Sequence, residues 1–237
     1  GTERAAAAYG ARAAEYVQAV GTMEATAPQD RALVERWAAQ TAGPLLDLGC
    51  GLGQWTAHLA GRGHDVVATR EPGATPAGRR IREVLLHGDD LAPRAEALLY
   101  AADRAHHVAT VVRPALARGE VVLQDRYLDS SVAYQGAGRV LDGDEIRNLS
   151  LWAAEGALPD LTVLLDLDPE SARVRLDAAD KPFDRLEAEK IEFHARVRDS
   201  YLALAEAEPE RFLVLDASAS PEAIAAHIRD RVASLVG

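Results

Sequence analysis

The chain of 237 residues predicts an α/β fold: three layers, doubly wound, with helices on both faces of a five-stranded, mainly parallel sheet. Three observations predict it. Five short apolar runs have the near-continuous hydrophobicity of strands buried on both faces: "PLLDL" at 44–48, "DVVATR" at 65–70, "EVVLQDR" at 120–126, "LTVLLDLD" at 161–168 and "RFLVLDA" at 211–217. Helical patterns separate these runs. The runs end in polar, acidic or glycine-bearing residues, "GCGLG", "REPG", "DRY" and "DLD" among them, at the carboxyl ends where open sheets of this kind bind ligands.

In chain order, residues 3–21 are alanine-rich, with Tyr9, Tyr16, Val17 and Val20 at roughly helical spacing. "PQDRALVERWAAQT" at 28–41 reads as an amphipathic helix: Thr26 caps it, Pro28 lies in its first turn, and Leu33, Val34 and Trp37 share a face. The first strand follows and runs into "GCGLGQWT", Gly49 to Thr56. A glycine-rich turn between strand and helix presents backbone N–H groups suited to a phosphate or nucleotide. The remaining four strands alternate with helices without an internal repeat or a low-complexity linker, so residues 1–237 read as a single α/β domain.

Thirty-seven acidic against 26 basic residues give a net charge of −11, which argues against a surface that coats nucleic acid. Lys181 and Lys190 are the only lysines, so the basic charge is almost all arginine. Cys50 is the only cysteine, which excludes an intrachain disulfide and a cysteine-based zinc cluster and fits a reducing cytoplasm. No apolar run approaches the roughly 20 residues that span a bilayer. The opening "GTERAAAAYG" has neither an initiator methionine nor an apolar signal core and reads as a processed or engineered terminus. The expectation is a cytoplasmic protein, expressed recombinantly, with no nucleic-acid or membrane partner.

From about residue 63 to 237 the sequence resembles bacterial thymidylate kinase of the actinobacterial type. The resemblance rests on "GHDVVATREPGATPAGRRIREVLL", "APRAEALLYAADRAHH", "VVLQDRYLDSSVAYQGAGR", "LPDLTVLLDLDPE" and "DRLEAEKIEFHARVR", spread over about three-quarters of the chain. It implies the P-loop kinase strand order 2-3-1-4-5, a lid at about residues 177–187, a possible homodimer, and the reaction ATP + dTMP → ADP + dTDP with magnesium. Residues 1 to about 67 resemble something else, the start of a class I S-adenosylmethionine-dependent methyltransferase, through "LDLGCGLG" and the helices before it. In that family Gly49, Gly51 and Gly53 correspond to the turn that packs against the methyl donor. The two resemblances meet at "RGHDVV", which leads to the expectation of an engineered chimera.

The kinase family needs a Walker A loop, G-x-x-x-x-G-K-[ST], whose backbone amides, lysine and hydroxyl hold phosphates and magnesium. On that template Gly49 and Thr56 match, but Gln54 replaces the second glycine and Trp55 the lysine. The segment from this loop to "RGHDVV" is about seven residues shorter than the kinase pattern, or ~10 Å of helix. The methyltransferase pattern is incomplete as well: its ribose-gripping acid falls near Arg70, with Glu71 one position later.

The kinase resemblance assigns Arg82, Arg104 and Arg126 to the acceptor nucleotide and its phosphate, a role that suits planar guanidinium groups. It assigns Ser131 and Gln135 to hydrogen bonds with thymine, Tyr100 to packing on the base, and Glu71 and Asp125 to the neighbourhood of the reacting groups. Arg70 and Tyr134 lie in the same substrate-side segments. Arg185 is the basic contact to the donor phosphates, ahead of Lys181. Each has a plainer alternative: Arg82 as an exposed helix residue, Arg126 as a partner for Asp125, Tyr100 as core, Ser131 and Gln135 as braces of a helix start. His106 and His107 read as a helix face and Cys50 as core filler, none as a metal ligand. The resulting expectation is residual dTMP binding with kinase activity absent or very weak and no bound cofactor. The alternatives are an active kinase with a non-standard phosphate loop, using Thr56 and Arg185, and a module that binds S-adenosylmethionine.

Overall fold

Four of the five apolar runs form strands, in two parallel pairs. The computed structural model describes residues 65–178 and 184–236. Strand β1 (Val66–Arg70) pairs with β2 (Val121–Asp125), Val66 opposite Val121 and Arg70 opposite Asp125. Strand β3 (Thr162–Asp166) pairs with β4 (Phe212–Asp216), Thr162 opposite Phe212 and Asp166 opposite Asp216. These are the second-with-third and fourth-with-fifth neighbours of the expected order. The first strand at 44–48, the helices before it and the "GCGLGQWT" loop lie outside the described residues, and the order across the sheet centre goes with them.

The helices follow the sequence pattern. Helix α1 (Pro76–His87) begins where Thr75 accepts a 2.9 Å hydrogen bond from the Gly78 amide, with Pro76 in the first turn. Helix α2 (Pro93–His107) runs without a break through a π-helical turn, Val108–Val112, into α3 (Arg113–Ala117). Helix α4 (Leu128–Ser131) likewise continues as a π-helical stretch, Val132–Gly138. After these come α5 (Gly143–Ala153), α6 (Pro169–Ala178), α7 (Ile191–Ala207) and α8 (Pro221–Val236). π-helical turns widen a helix locally and often accompany functional sites. Among the described residues no helix is long and apolar enough to cross a membrane.

Val108, Val112 and Ala115 pack on Val122 of β2, with Val67 of β1 and Tyr127 against them. Ala97 of α2, Val132 and Ile146 of α5 form a second cluster, and Ala133 packs with Phe193 and Val197 of α7 in a third. The long helical segments thus cover β1 and β2 and carry α5 and α7 on their outer side.

An ion pair ties α4 to the β3–β4 pair. Arg211, just before β4, donates from Nη1 and Nη2 to the two carboxylate oxygens of Asp129 on α4 at 2.7 and 2.8 Å, and Thr162 at the start of β3 donates to the same carboxylate at 3.2 Å. Asp129 is almost fully buried, so removing it leaves a guanidinium without its main partner. Asp129→Ala is expected to cost about 3 kcal/mol of stability, read as a lower urea midpoint with an unchanged m-value.

Candidate active site

β1 and β2 end in register, so "TREPG" and "DRY" leave the sheet side by side, and the Glu71 amide donates to the Asp125 carbonyl at 3.0 Å. In the turn that follows, Gly73 has φ +106, and a Cβ there would lie 2.8 Å from Arg82 Cδ. Glycine is required at that position on both counts. Ala74, which stands where the kinase pattern has a second glycine, is not among the residues with positive φ, and the turn needs only one. The Gly73 amide donates to the Asp103 carboxylate of α2, at 3.3 Å to each oxygen.

This turn places Glu71 in the interior beside Arg104. The guanidinium donates from Nε to Glu71 Oε2 at 2.8 Å, from Nη1 to Ser150 of α5 at 3.0 Å, and from Nη2 to Ser131 at 3.0 Å. Arg104 is 1% exposed, and its Cζ lies 5.4 Å from the Tyr127 ring centre. Three of its five N–H groups are therefore committed and two remain. The other Glu71 oxygen, Oε1, lies 2.9 Å from His107 Nδ1, and His107 Nε2 lies 2.6 Å from the Thr69 hydroxyl on β1. Because a carboxylate only accepts, Nδ1 carries the hydrogen of that pair. Burial, and then the nearby Glu71 charge, push the Asp103 carboxyl above its usual range.

A second buried carboxylate, Glu96, lies two helical turns before Arg104 on α2. Its Oε1 accepts from Gln135 Nε2 at 2.9 Å and from Arg139 Nε at 3.2 Å, and its Oε2 pairs with Arg139 and Arg185. Burial alone would raise its pKa, but the hydrogen bonds from Arg139, Gln135 and Arg185 outweigh it and hold the carboxyl below its usual range. Between the two acids' partners stands Tyr100, its hydroxyl pushed up to about 12 by burial and then by Glu96.

The third feature is a crowd of arginines at the strand ends. Arg82 of α1 is half-buried and donates to the Pro72 carbonyl at 3.0 Å. Burial, then Arg70, and to a lesser degree Arg126 pull its pKa down. Arg126 has φ 63 in the left-handed region, and its guanidinium lies 5.0 Å from the Tyr134 ring centre. An arginine held in that sparsely populated conformation points to a functional constraint.

The structure thus brings Glu71, Arg104 and Ser131 together, sets Gln135 on Glu96, and puts Arg70, Arg82, Arg126 and Tyr134 in a neighbouring group that Tyr100 adjoins. Asp125 is exposed at the end of β2. Arg185 is placed differently from a free phosphate contact: its Nε donates to the Leu85 carbonyl at 2.8 Å, its own amide donates to the Leu86 carbonyl at 3.3 Å, and its guanidinium pairs with Glu96. Gly49, Gly51, Gly53, Thr56 and Lys181 lie outside the described residues. A separate cavity of 490 Å³ lies between β3, α6 and α7, and Tyr134 is the only expected site residue among its walls.

The expectation for His107 needs correction. Read only as part of a helix face, it is fully buried, because it is the link between Glu71 and Thr69. Asp103, Glu96, Arg139 and Ser150 were absent from the expected site. A signal for two of these, and for His107, is present in "APRAEALLYAADRAHH": Glu96, Tyr100 and Arg104 follow one another at i, i+4, i+8, and Asp103 and His107 at i, i+4. Charges stacked on one helix face together with a tyrosine mark a polar face turned inward.

Parallel α/β strands with guanidinium groups gathered at their carboxyl ends fit the class of α/β proteins that bind a phosphate-bearing ligand there. A family model described as thymidylate kinase matches residues 55–228. The chain is 73% identical over 175 residues to the thymidylate kinase of Leifsonia xyli subsp. xyli, covering 73% of this chain and 83% of that protein. It is 70% identical over 179 residues to the thymidylate kinase of Clavibacter sepedonicus, covering 75% and 85%, respectively. With the thymidylate kinase of Bifidobacterium longum, identity is 54% over 184 residues, covering 76% and 88%. The chain belongs to the thymidylate kinase family.

The lowered Glu96 carboxyl has a definite pH signature. Its usual value is 4.5, so its contribution to stability is complete above that pH and is lost as pH falls through the lower folded-state value. Glu96→Gln is expected to destabilise the protein by about 3 kcal/mol near neutrality. The gap from wild type should narrow below pH 4.5, as read from urea midpoints measured across an acid series.

Proposed function

We propose that the protein binds thymidine monophosphate between α2 and the 128–138 segment, and that transfer of a phosphoryl group from ATP to it is absent or very weak. The observation that carries this reading is the gathering of Arg70 and Arg126 about the half-buried Arg82 at the strand ends, where burial first and then those two charges lower the Arg82 pKa. Like charges gathered beside a buried turn are relieved by an anion, and a phosphate monoester supplies one at the right scale. Tyr100 offers the base an aromatic face. Arg104 has N–H groups to spare for a ring carbonyl, and Ser131 and Gln135 sit on either side.

The donor half supports less. Walker A chemistry is assigned to "GCGLGQWT", which lacks the lysine and the second glycine, and the family match begins only at residue 55. That boundary leaves residues 1–54 outside the thymidylate kinase match. Phosphoryl transfer depends on positioning and charge stabilisation, so replacing the cradle removes most of the rate. Of the two acids expected near magnesium, Glu71 has both oxygens engaged by Arg104 and His107. Asp125 is the one open to solvent. Among the described residues no group of three or more histidine, cysteine, aspartate or glutamate side chains could hold a metal ion.

The reading of an active kinase that uses Arg185 is disfavoured by the hold of Glu96 and the Leu85 carbonyl on that guanidinium. The reading of a methyl-donor module is disfavoured because Glu71 is not free to grip a ribose. A homodimer has the exposed Leu98 and Trp152 available on α2 and α5.

Calorimetric titration with dTMP, with magnesium present and no ATP, is expected to give a Kd in the micromolar range, about −8 kcal/mol. Arg104→Ala should weaken it by roughly tenfold or more. A coupled assay of ADP release should stay at background. No dTMP binding would overturn the reading, and dTDP formation at an ordinary kinase rate of ~1 s⁻¹ or above would overturn its second half.

A further inference from the structure

Two rungs connect α2 to the 128–138 segment. Arg104 meets Ser131 at 3.0 Å, and Glu96 meets Gln135 at 2.9 Å. Glu96, Tyr100 and Arg104 are spaced four apart on one helix face, and Ser131 and Gln135 four apart on the facing segment. On α2, Tyr100 therefore stands between Arg104, at the Ser131 rung, and Glu96, at the Gln135 rung. A primary amide can donate or accept, and nothing in its shape says which end it presents to a ligand. Glu96 removes that freedom. Its carboxylate is fully buried, is paired with Arg139 and Arg185, and can only accept. The Gln135 nitrogen must face it, which leaves the Gln135 oxygen as the acceptor available to a ligand.

We propose that Glu96 is a positioning residue that sets base specificity: by holding the Gln135 amide nitrogen it presents Gln135 Oε1 to a pyrimidine with an N–H at ring position 3, and so excludes cytosine. This rests on the dTMP reading above. Thymine and uracil offer an N–H to Gln135 and a carbonyl to Arg104. Cytosine offers an acceptor to Gln135 and an amino group to Arg104, so both contacts become mismatches. The ring methyl is not read by this pair, and dUMP satisfies it as well as dTMP does.

The test is calorimetry on the full chain with dTMP and dCMP, comparing wild type, Glu96→Gln, Glu96→Asp and Gln135→Ala. Wild type is expected to prefer dTMP by on the order of 100-fold or more, since a site built for one hydrogen-bond pattern leaves buried groups unpaired with the other. Glu96→Gln brings an amide that can donate as well as accept, so Gln135 can turn, and the preference should fall by roughly tenfold or more. Glu96→Asp keeps an acceptor-only group and should retain most of it. Gln135→Ala should lose it as Glu96→Gln does. A folded Glu96→Gln protein that binds both nucleotides more weakly but with an unchanged ratio would show a merely structural role and overturn the proposal. If circular dichroism shows that Glu96→Gln does not fold, Gln135→Ala decides: an unchanged ratio overturns the proposal, and a lost one, with Glu96→Asp retaining the preference, supports it. Wild type binding both nucleotides equally overturns this proposal alone. Wild type binding neither overturns the dTMP reading and this proposal with it.

Discussion

A charge buried in the middle of the helical layer organises this protein. The Arg104 guanidinium is almost wholly removed from water, which costs several kcal/mol unless its donors are met. The partners come from separate parts of the chain: Glu71 after β1, Ser131 at the end of α4 and Ser150 on α5. Meeting them requires the β1 turn, α2, α4 and α5 to assemble together. The turn residues follow from this demand. Gly73 takes a backbone conformation that other residues rarely adopt, so that the chain can bring Glu71 inward while its own amide meets Asp103.

Glu71 is in turn held from behind. His107 receives its orientation from Thr69 on β1 and passes it to the free oxygen of the carboxylate. A polar chain thus runs from strand to helix to guanidinium, and every member has a partner. Such a network is rigid because, in a low-dielectric interior, each broken hydrogen bond leaves an unpaired polar group at high cost. The raised Asp103 carboxyl shows the opposite side of the same design: a second acid is packed close to Glu71 and kept there by the turn amide. Electrostatic cost is concentrated beside the strand ends, where the arginines of α1 and of the β2 end also crowd together.

Glu96 repeats the arrangement with the signs exchanged, one buried acid gathering Arg139, Arg185 and Gln135. It joins α2 to the segment after α6 and to the π-helical stretch after α4. Arg185 illustrates how far such contacts lie from local sequence. Its partners, Leu85 and Glu96, stand 100 and 89 residues away along the chain, and no spacing rule connects them. A basic residue in a polar segment reads from sequence as a phosphate ligand; its hold on the Leu85 carbonyl and Glu96 is visible only in the folded chain.

Four strands were legible to within two residues because two-sided burial writes itself as a continuous apolar run. The inward faces of the helices were legible in outline through the 3.6-residue period. The acceptor-side set of Arg82, Arg104, Arg126, Ser131 and Gln135 was carried by family motifs. His107, by contrast, is legible only as part of a helix face, since a polar residue there looks the same whether it meets water or a buried acid. Periodicity and propensity are local properties, present in the order of the residues before any contact forms, and so strand positions and helix faces belong to the chain alone. The choice of partner for each charge belongs to the folded arrangement. It depends on which elements come within 3 Å of each other after burial has removed water as the competing partner.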